Sequence, residues 1–313
     1  MQSQTNSLAK RRAASTRNAA IIFLVPAFLF LIIYIAYPIV YSFNLSCYDW
    51  NGFASNKAFV GLNNWKELIL DGVFRKAFLN NIIIMVLSII VQLPIGIALA
   101  TFLDFGGKKL NVFKVIWFIP MLMSSVAIGY LFKYALDASS GIVTGISKAL
   151  GGHSIDLLGN PKTALLTITV AICWQFIPFY MVYFLAAYSG IPSDLYEAAI
   201  IDGAKKSQYF WRIALPLMKP AIKSAIVLSM VGSLKYFDLI YVMTGGGPGN
   251  ASELMATYMY KNAFLSQRMG YGSAIASGMF ILITIISLIT IKTLNRKEDW
   301  LLWSITYQYK NYL

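Results

Sequence analysis

Charge is scarce in this chain. Of its 313 residues, 12% are charged and 58% are hydrophobic, whereas a soluble chain of this length carries about 25% charged side chains to cover its surface. The composition excludes both an ordinary water-soluble fold and intrinsic disorder, and it implies lipid as the solvent. Acidic residues are scarcest, thirteen against twenty-six Lys and Arg, for a net charge of +13. The basic residues cluster beside the apolar blocks instead of forming a stripe of their own, which fits anionic lipid headgroups and argues against nucleic acid as a partner.

Ligands for metals are equally few. Two cysteines, Cys47 and Cys173, lie far apart in different kinds of segment, so neither a disulfide framework nor a Cys-rich site is supported. The single histidine, His153, falls in a polar, Gly-rich stretch and reads as a surface residue. No G-x-x-x-x-G-K-[ST] loop occurs, and Gly245-Gly246-Gly247-Pro248 lacks the Lys and hydroxyl that hold nucleotide and magnesium. No cofactor is expected on this chain, and ATP and Mg must be held elsewhere if they are used at all. A membrane-embedded enzyme would need a nucleophile with a base, or a metal set, and neither is present in the sequence.

What the chain has in quantity is long apolar runs. A bilayer core takes about 20 such residues in helical form, and six blocks qualify, near residues 19–43, 78–103, 112–136, 163–187, 219–243 and 272–292. The expected fold class is an all-α membrane protein with six transmembrane helices. Lys10, Arg11, Arg12 and Arg17 ahead of the first block have the charge pattern of a signal peptide. The apolar core is too long for one, however, and no small-residue cleavage pattern follows, so the block reads as a retained span. Pro38, Pro94, Pro120 and Pro178 lie inside spans, where lipid-embedded helices tolerate kinks that either serve packing or let a bundle open. Lys133 and Lys223 sit near span ends and are expected to snorkel. Lys235 and Asp238, three residues apart in the fifth block, are expected to pair across one turn.

Between the fourth and fifth blocks lies a polar segment that cannot span, beginning Ile191-Pro192-Ser193-Asp194-Leu195-Tyr196-Glu197-Ala198-Ala199. Proline blocks helix before it, Asp194 and Glu197 have capping-box spacing, and Gly203 supplies a left-handed stop, so a helix of about ten residues is expected. Leu195, Ala198, Ala199 and Asp202 would then share one small-residue face, suited to close contact with another protein. In the fifth block, Ser229, Gly232, Ser233 and Tyr236 recur at helical spacing as one narrow polar stripe. Hydroxyls and a tyrosine ring suit a sugar, and small residues equally suit helix packing.

These residues carry a resemblance. Glu197-Ala198-Ala199, then Gly203, Ile213, Leu215 and Pro216, is similar to the EAA motif of ABC importer permeases. Ser233-Leu234-Lys235-Tyr236-Phe237-Asp238 followed by Thr244-Gly245-Gly246-Gly247-Pro248 resembles the carbohydrate branch, the maltose, glycerol-phosphate and multiple-sugar permeases, as does Phe59-Val60-Gly61-Leu62-Asn63-Asn64-Trp65 after the first span. The likeness covers roughly residues 20–293. It implies a type I ABC importer permease fold with a cytoplasmic coupling helix: a cytoplasmic tail over 1–18, a permease domain over 19–293 with its coupling loop at about 189–219, and a cytoplasmic tail over 294–313.

It also implies partners, namely a second, homologous permease forming a heterodimer, two ATPase subunits and an extracytoplasmic sugar-binding protein, all in a bacterial inner membrane. Glu197, Ala198, Ala199, Asp202, Gly203, Ile213, Leu215 and Pro216 would couple to the ATPase. Alignment to the maltose permease places substrate contacts on Ser229, Gly232, Ser233 and Tyr236, and on Gln175, Phe176 and Phe179 of the fourth span, with Trp174 beside them. Gln175 stands out independently, because an amide in the bilayer core needs a partner, from another helix or from a bound sugar. Family members commonly end soon after the last span. The extension here, with Trp300, Trp303, Tyr307, Tyr309 and Tyr312, either lies in the headgroup layer or is solvated. The alternative to an importer subunit is a secondary solute transporter, which would carry coupling-ion carboxylates near midplane, yet Asp238 is the only acid in the six blocks.

Orientation follows from the basic residues. With the amino terminus inside, the cytoplasmic segments hold fifteen Lys and Arg and the outer loops eight (Lys57, Lys66, Arg75, Lys76, Lys148, Lys162, Lys261 and Arg268), and the richer side is the cytoplasmic one. Both termini should therefore be cytoplasmic. Cysteine labelling with a membrane-impermeant reagent should reach a reporter beside His153 from outside and one at Lys205 only from inside. The reverse pattern at either position would refute the topology.

Overall fold

The structure is a computed structural model that describes residues 21–310; the basic residues Lys10 to Arg17 and Tyr312 lie outside them. Helix dominates the described residues. The candidate crossings are α1 (Ile21–Leu45), Gly72–Gly106, Ala164–Ser189, Lys219–Met243 and Met269–Leu294, each long and apolar enough to cross a membrane. A sixth crossing is reached when the bent pair Val112–Leu122 and Ser125–Ala135 counts as one.

The described residues form two compact units. The first runs to Leu68 and includes Asn262–Ser277. In it, α1 ends in a turn that leads to a minimal hairpin, β1 (Tyr48–Asp49) antiparallel to β2 (Ala58–Phe59) with Tyr48 opposite Phe59, and then to α2 (Asn63–Leu70). The Asn63-Asn64-Trp65 segment fastens this turn. Asn64 Nδ2 donates to the carbonyls of Ser46 and Tyr48, both at 2.9 Å, and Trp65 Nε1 donates to Ser46 Oγ at 2.8 Å. Arg268 Nη2 donates to both carboxylate oxygens of Glu67, at 2.8 and 2.7 Å, a charge-assisted contact.

Within α1, residues Ile32–Ala36 form a π turn closed by the Tyr37 N–H on the Ile32 carbonyl, immediately before Pro38. The same device recurs at Phe210–Ala214, where the Leu215 N–H reaches the Phe210 carbonyl before Pro216. A proline has no N–H to offer and its ring collides with the carbonyl four residues back. Widening the preceding turn keeps the helix going past both obstacles.

The second unit comprises Ile69–Lys261 and Gly278–Leu313. Its longest helix, α3 (Gly72–Gly106), is capped by Asp71 Oδ1, which accepts from the N–H groups of Val73 at 2.8 Å and Phe74 at 3.3 Å. Helices α4 (Asn111–Leu122) and α5 (Ser125–Ala135) follow, then α6 (Ile142–Ala149), α7 (Ala164–Ser189) and α8 (Ser193–Ile201). Beyond them come α9 (Lys206–Tyr209), α10 (Lys219–Leu234), α11 (Asp238–Met243), α12 (Met255–Tyr260) and α13 (Met269–Lys310). Helix α3 packs against α7 so closely at Gly96 that a Cβ there would stand 2.8 Å from the Tyr180 Cβ.

Two expectations from sequence are corrected. The third block is not a straight span: α4 and α5 meet at 92°, because Pro120 weakens the last turn of α4 and both Met123 and Ser124 take extended backbone. The fifth is interrupted too, since Lys235, Tyr236 and Phe237 are not helical. Lys235 and Asp238 therefore do not share a turn, and no ion pair joins them among the described residues. The carboxyl-terminal extension continues α13 as helix to Lys310.

One acid that the sequence reading passed over is fully buried. Glu253, between α11 and α12, forms an ion pair with Lys261, as a buried carboxylate requires. In the turn after α5, the side-chain and backbone donors of Ser139 and Ser140 hold the Asp137 carboxyl well below its usual range, at about 2.

The kinked α5 and the displaced α11 pack together at Gly129, where an added Cβ would lie 2.8 Å from Val242 Cγ1. Gly129→Val should cost about 1–3 kcal/mol by overpacking, read as a lower unfolding temperature of the purified protein. Gly145→Ala, at a helical glycine with open space around it, should leave that temperature unchanged or raise it.

Candidate functional site

Two regions collect the residues singled out from the sequence. The first is the polar segment after α7. Helix α8 begins directly after Pro192, whose extended ψ of 132° makes it the N-cap, with no side-chain cap bond. The expected capping box of Asp194 and Glu197 does not form, because the helix starts two residues earlier and Asp194 falls within its first turn, where its charge favours the helix dipole instead. The stop is as expected. Gly203 has φ +77°, and the N–H groups of Gly203 and Ala204 return to the carbonyls of Ile200 and Ala199, each at 2.9 Å, a Schellman closure that glycine makes without strain.

The faces of α8 differ from expectation at one residue. Leu195, Glu197, Ala198, Ile201 and Asp202 are exposed, and Ile201 retains 85% of its surface. Ala199 points inward and is 6% exposed. Its side is held by Tyr196 and Tyr209, whose rings meet edge to face at 4.9 Å, and by Phe105 at the end of α3, 6.4 Å from each. Lys206 Nζ lies 5.2 Å over the Phe105 ring. Burial, with Asp104 and Tyr196 nearby, pushes the Tyr209 phenol above its usual range. Close by, the hydroxyls of Thr101 and Tyr188 tie α3 to α7 at 2.9 Å. Ile213, Leu215 and Pro216 are half-buried at the π turn that leads into α10. The small helix is thus anchored by aromatic rings to the ends of two long helices and bare on its other side.

The second region is a cavity of about 520 Å³ between α7, α10 and the break that follows α10. Of the seven residues proposed for a substrate path, six line it: Phe176, Phe179, Ser229, Gly232, Ser233 and Tyr236. Gln175 stands just behind. Its Nε2 donates to Ser125 Oγ at 3.0 Å, and its Oε1 accepts from the Tyr236 hydroxyl at 3.3 Å. The amide thereby finds its partners in the first residue of α5 and in the break after α10, and the Tyr236 ring meets Phe176 edge to face at 6.0 Å. Tyr236 is not on the helical stripe, because α10 has ended at Leu234; the break itself turns it to the cavity. Trp174 is outside the lining and packs its ring against Phe132. Ser229 is buried beside the Tyr180 phenol. Around the Gly232 Cα there is open space.

Lys235 and Asp238 also line the cavity, which replaces the structural pair expected of them. Gln92 and Tyr180 are further lining residues that the sequence reading missed. Gln92 was detectable by the argument applied to Gln175: it is an amide in the middle of an apolar run, as are Asn80 and Asn81. Tyr180 carried no such signal among many aromatics. The wall combines hydroxyls, an amide and two charges with aromatic faces, the mixture that holds a polar solute with apolar flanks.

Over residues 92–299 the chain matches the family described as binding-protein-dependent transport system inner membrane component. It is 36% identical over 275 residues to the probable ABC transporter permease protein YurN of Bacillus subtilis strain 168, spanning 87% of this chain and 94% of that one. It is 31% identical over 278 residues to the multiple sugar-binding transport system permease protein MsmF of Streptococcus mutans serotype c, spanning 88% and 95%. Among solved structures, a bacterial ABC transporter involved in the import of the acidic polysaccharide alginate shares the fold, with a TM-score of 0.77 over 91% of this chain and 99% of that one at 23% identity. A family match over two thirds of the chain, relatives aligned along nearly their whole length and a shared fold lead to one statement: the chain belongs to the binding-protein-dependent transport system inner membrane components, the multi-pass permease subunits of ABC importers.

Proposed function

We propose that this chain is a permease subunit of an ATP-driven importer for a sugar or oligosaccharide. The observation that carries the reading is the cavity, whose seryl and tyrosyl hydroxyls and phenylalanine rings match what a pyranose offers, hydroxyls at its edge and an apolar face. The similarity to a multiple-sugar permease supports the same class. In this reading the path is completed by a second, different permease, an extracytoplasmic binding protein delivers the sugar, and two ATPase subunits hold ATP and magnesium. Both termini lie in the cytoplasm.

Helix α8 is the coupling helix. Its bare side, with Glu197, Ala198, Ile201 and Asp202, docks in a groove of the ATPase. Its anchored side, with Ala199, Tyr196 and Tyr209, passes a rigid-body displacement to the ends of α3 and α7. Gly203 lets the chain reverse, and Ile213, Leu215 and Pro216 carry the motion into α10. ATP-driven closure at α8 thus alternates the access of the cavity between the two sides of the membrane.

The test uses the assembled importer in proteoliposomes with its sugar-loaded binding protein. Gly232→Trp, which projects into open space, should lower uptake by roughly tenfold or more while basal ATPase and assembly stay within about twofold. Normal uptake in that variant would remove the cavity from the path. A cysteine at Ala198 should crosslink to the ATPase, and one at Ala199 should not. Absence of crosslinks from Ala198 in every nucleotide state would overturn the coupling role.

A further inference from the structure

Helix α10 ends at Leu234, between the cavity and the packed interior. Leu234, Leu239 and Ile240 are fully buried on either side of the break, and a helix end in such a place leaves carbonyls that need donors. The donors come from α3. Asn81, itself fully buried, directs Nδ2 at the carbonyls of Ser233 at 3.0 Å and Leu234 at 3.2 Å. Its Oδ1 accepts from the Met255 N–H at 3.0 Å, the first residue of α12. The reverse orientation of the amide would set an oxygen against two carbonyl oxygens, so the partners determine which way it faces. One carboxamide thus serves two carbonyls at the end of one helix, of which Ser233 also accepts from the Tyr236 N–H at 3.4 Å, and an N–H at the start of the next.

We propose that Asn81 is a positioning residue for the substrate cavity, holding the fifth span interrupted so that Tyr236 and the residues around it face the solute. Asn81 does not line the cavity and has no contact with solute. It acts through the break: with the Ser233 and Leu234 carbonyls occupied, the chain departs from helix over residues 235–237, and the Tyr236 hydroxyl comes within reach of Gln175. Without those donors, the two carbonyls recruit the N–H groups of Phe237 and Asp238, and α10 continues as helix. That rotation withdraws Tyr236 from Gln175 and narrows the cavity. The word substrate here rests on the reading of the cavity given above; the geometric claim does not.

The experiment therefore reads the cavity without a sugar. Cys47 and Cys173 are replaced by alanine, a single cysteine is placed at Gly232, which lines the cavity with open space around it, or at Ser154 as a remote control, and a charged methanethiosulfonate reagent is applied to the assembled importer. In both Asn81→Leu and Asn81→Asp, the labelling rate at position 232 should fall by roughly tenfold, in proportion to the lost open population, while that at 154 is unchanged. Asn81→Asp keeps the size and the acceptor for Met255 and puts a carboxylate oxygen in place of the donors, while Asn81→Leu removes the amide without adding charge, so a fall common to both reports the lost donors. An unchanged rate at position 232 in Asn81→Asp overturns the proposal. So does loss of assembly in both variants, which would assign Asn81 to general packing. Gly232→Trp, judged by uptake, tests the substrate reading separately, so the two failures are distinguishable.

Discussion

A backbone that leaves helical geometry inside an apolar protein must find other partners for its N–H and carbonyl groups, and the permease region of this chain is organised by how it meets that demand. Its two interruptions, at Met123–Ser124 and at residues 235–237, are both flanked by carboxamides from neighbouring helices, Gln175 on the Ser125 hydroxyl and Asn81 on the Ser233 and Leu234 carbonyls. Gln175 of α7 reaches Ser125 on one side and Tyr236 on the other, so a single buried amide ties the kink of the third span to the break in the fifth. Asn81 of α3 supplies the carbonyls that the second break exposes. An amide suits the task because it carries two donors and an acceptor without a charge, which lipid-like surroundings penalise heavily.

The consequence is a cavity with a polar wall inside an apolar bundle. A continuous helix would bury its hydroxyl side chains against a neighbour or turn them to its own carbonyls, as Thr169 and Thr284 do with the residues four before them. Interrupting the helix frees side chains to face a space instead. Lys235 and Asp238, which a straight helix would set one turn apart, both reach the cavity wall because the turn between them is absent. Glycine contributes in a complementary way: Gly96 and Gly129 bring backbones together where the helices pack, while Gly232 leaves room.

The far end of the same helices shows how a motion could be delivered to that space. Helix α8 is only nine residues long and would have little stability alone. It is held by a ring cluster and a Schellman stop, so it moves with α3 and α7 or not at all. Its exposed side keeps Ile201 in the open, a large apolar side chain for which a protein partner is the natural cover.

Hydropathy alone marked where helices cross, because about 20 consecutive apolar residues leave the backbone no other arrangement in lipid. Local rules likewise carried the Gly203 stop, and the seven residues of the motif around Glu197 named the family. What they could not carry were features that depend on a second element. The 92° bend between α4 and α5, the inward face of Ala199 and the separation of Lys235 from Asp238 each arise where another helix supplies or withholds a contact. Hydrophobic periodicity reports which residues avoid water, and in a membrane protein nearly all of them do, so it cannot say which side of a helix meets protein. Composition and spacing therefore determined the number and place of the apolar segments. Only the tertiary structure decided where those segments break, since the groups that meet a break, Asn81 at the Ser233 and Leu234 carbonyls and Gln175 at the Tyr236 hydroxyl, come from residues remote in sequence.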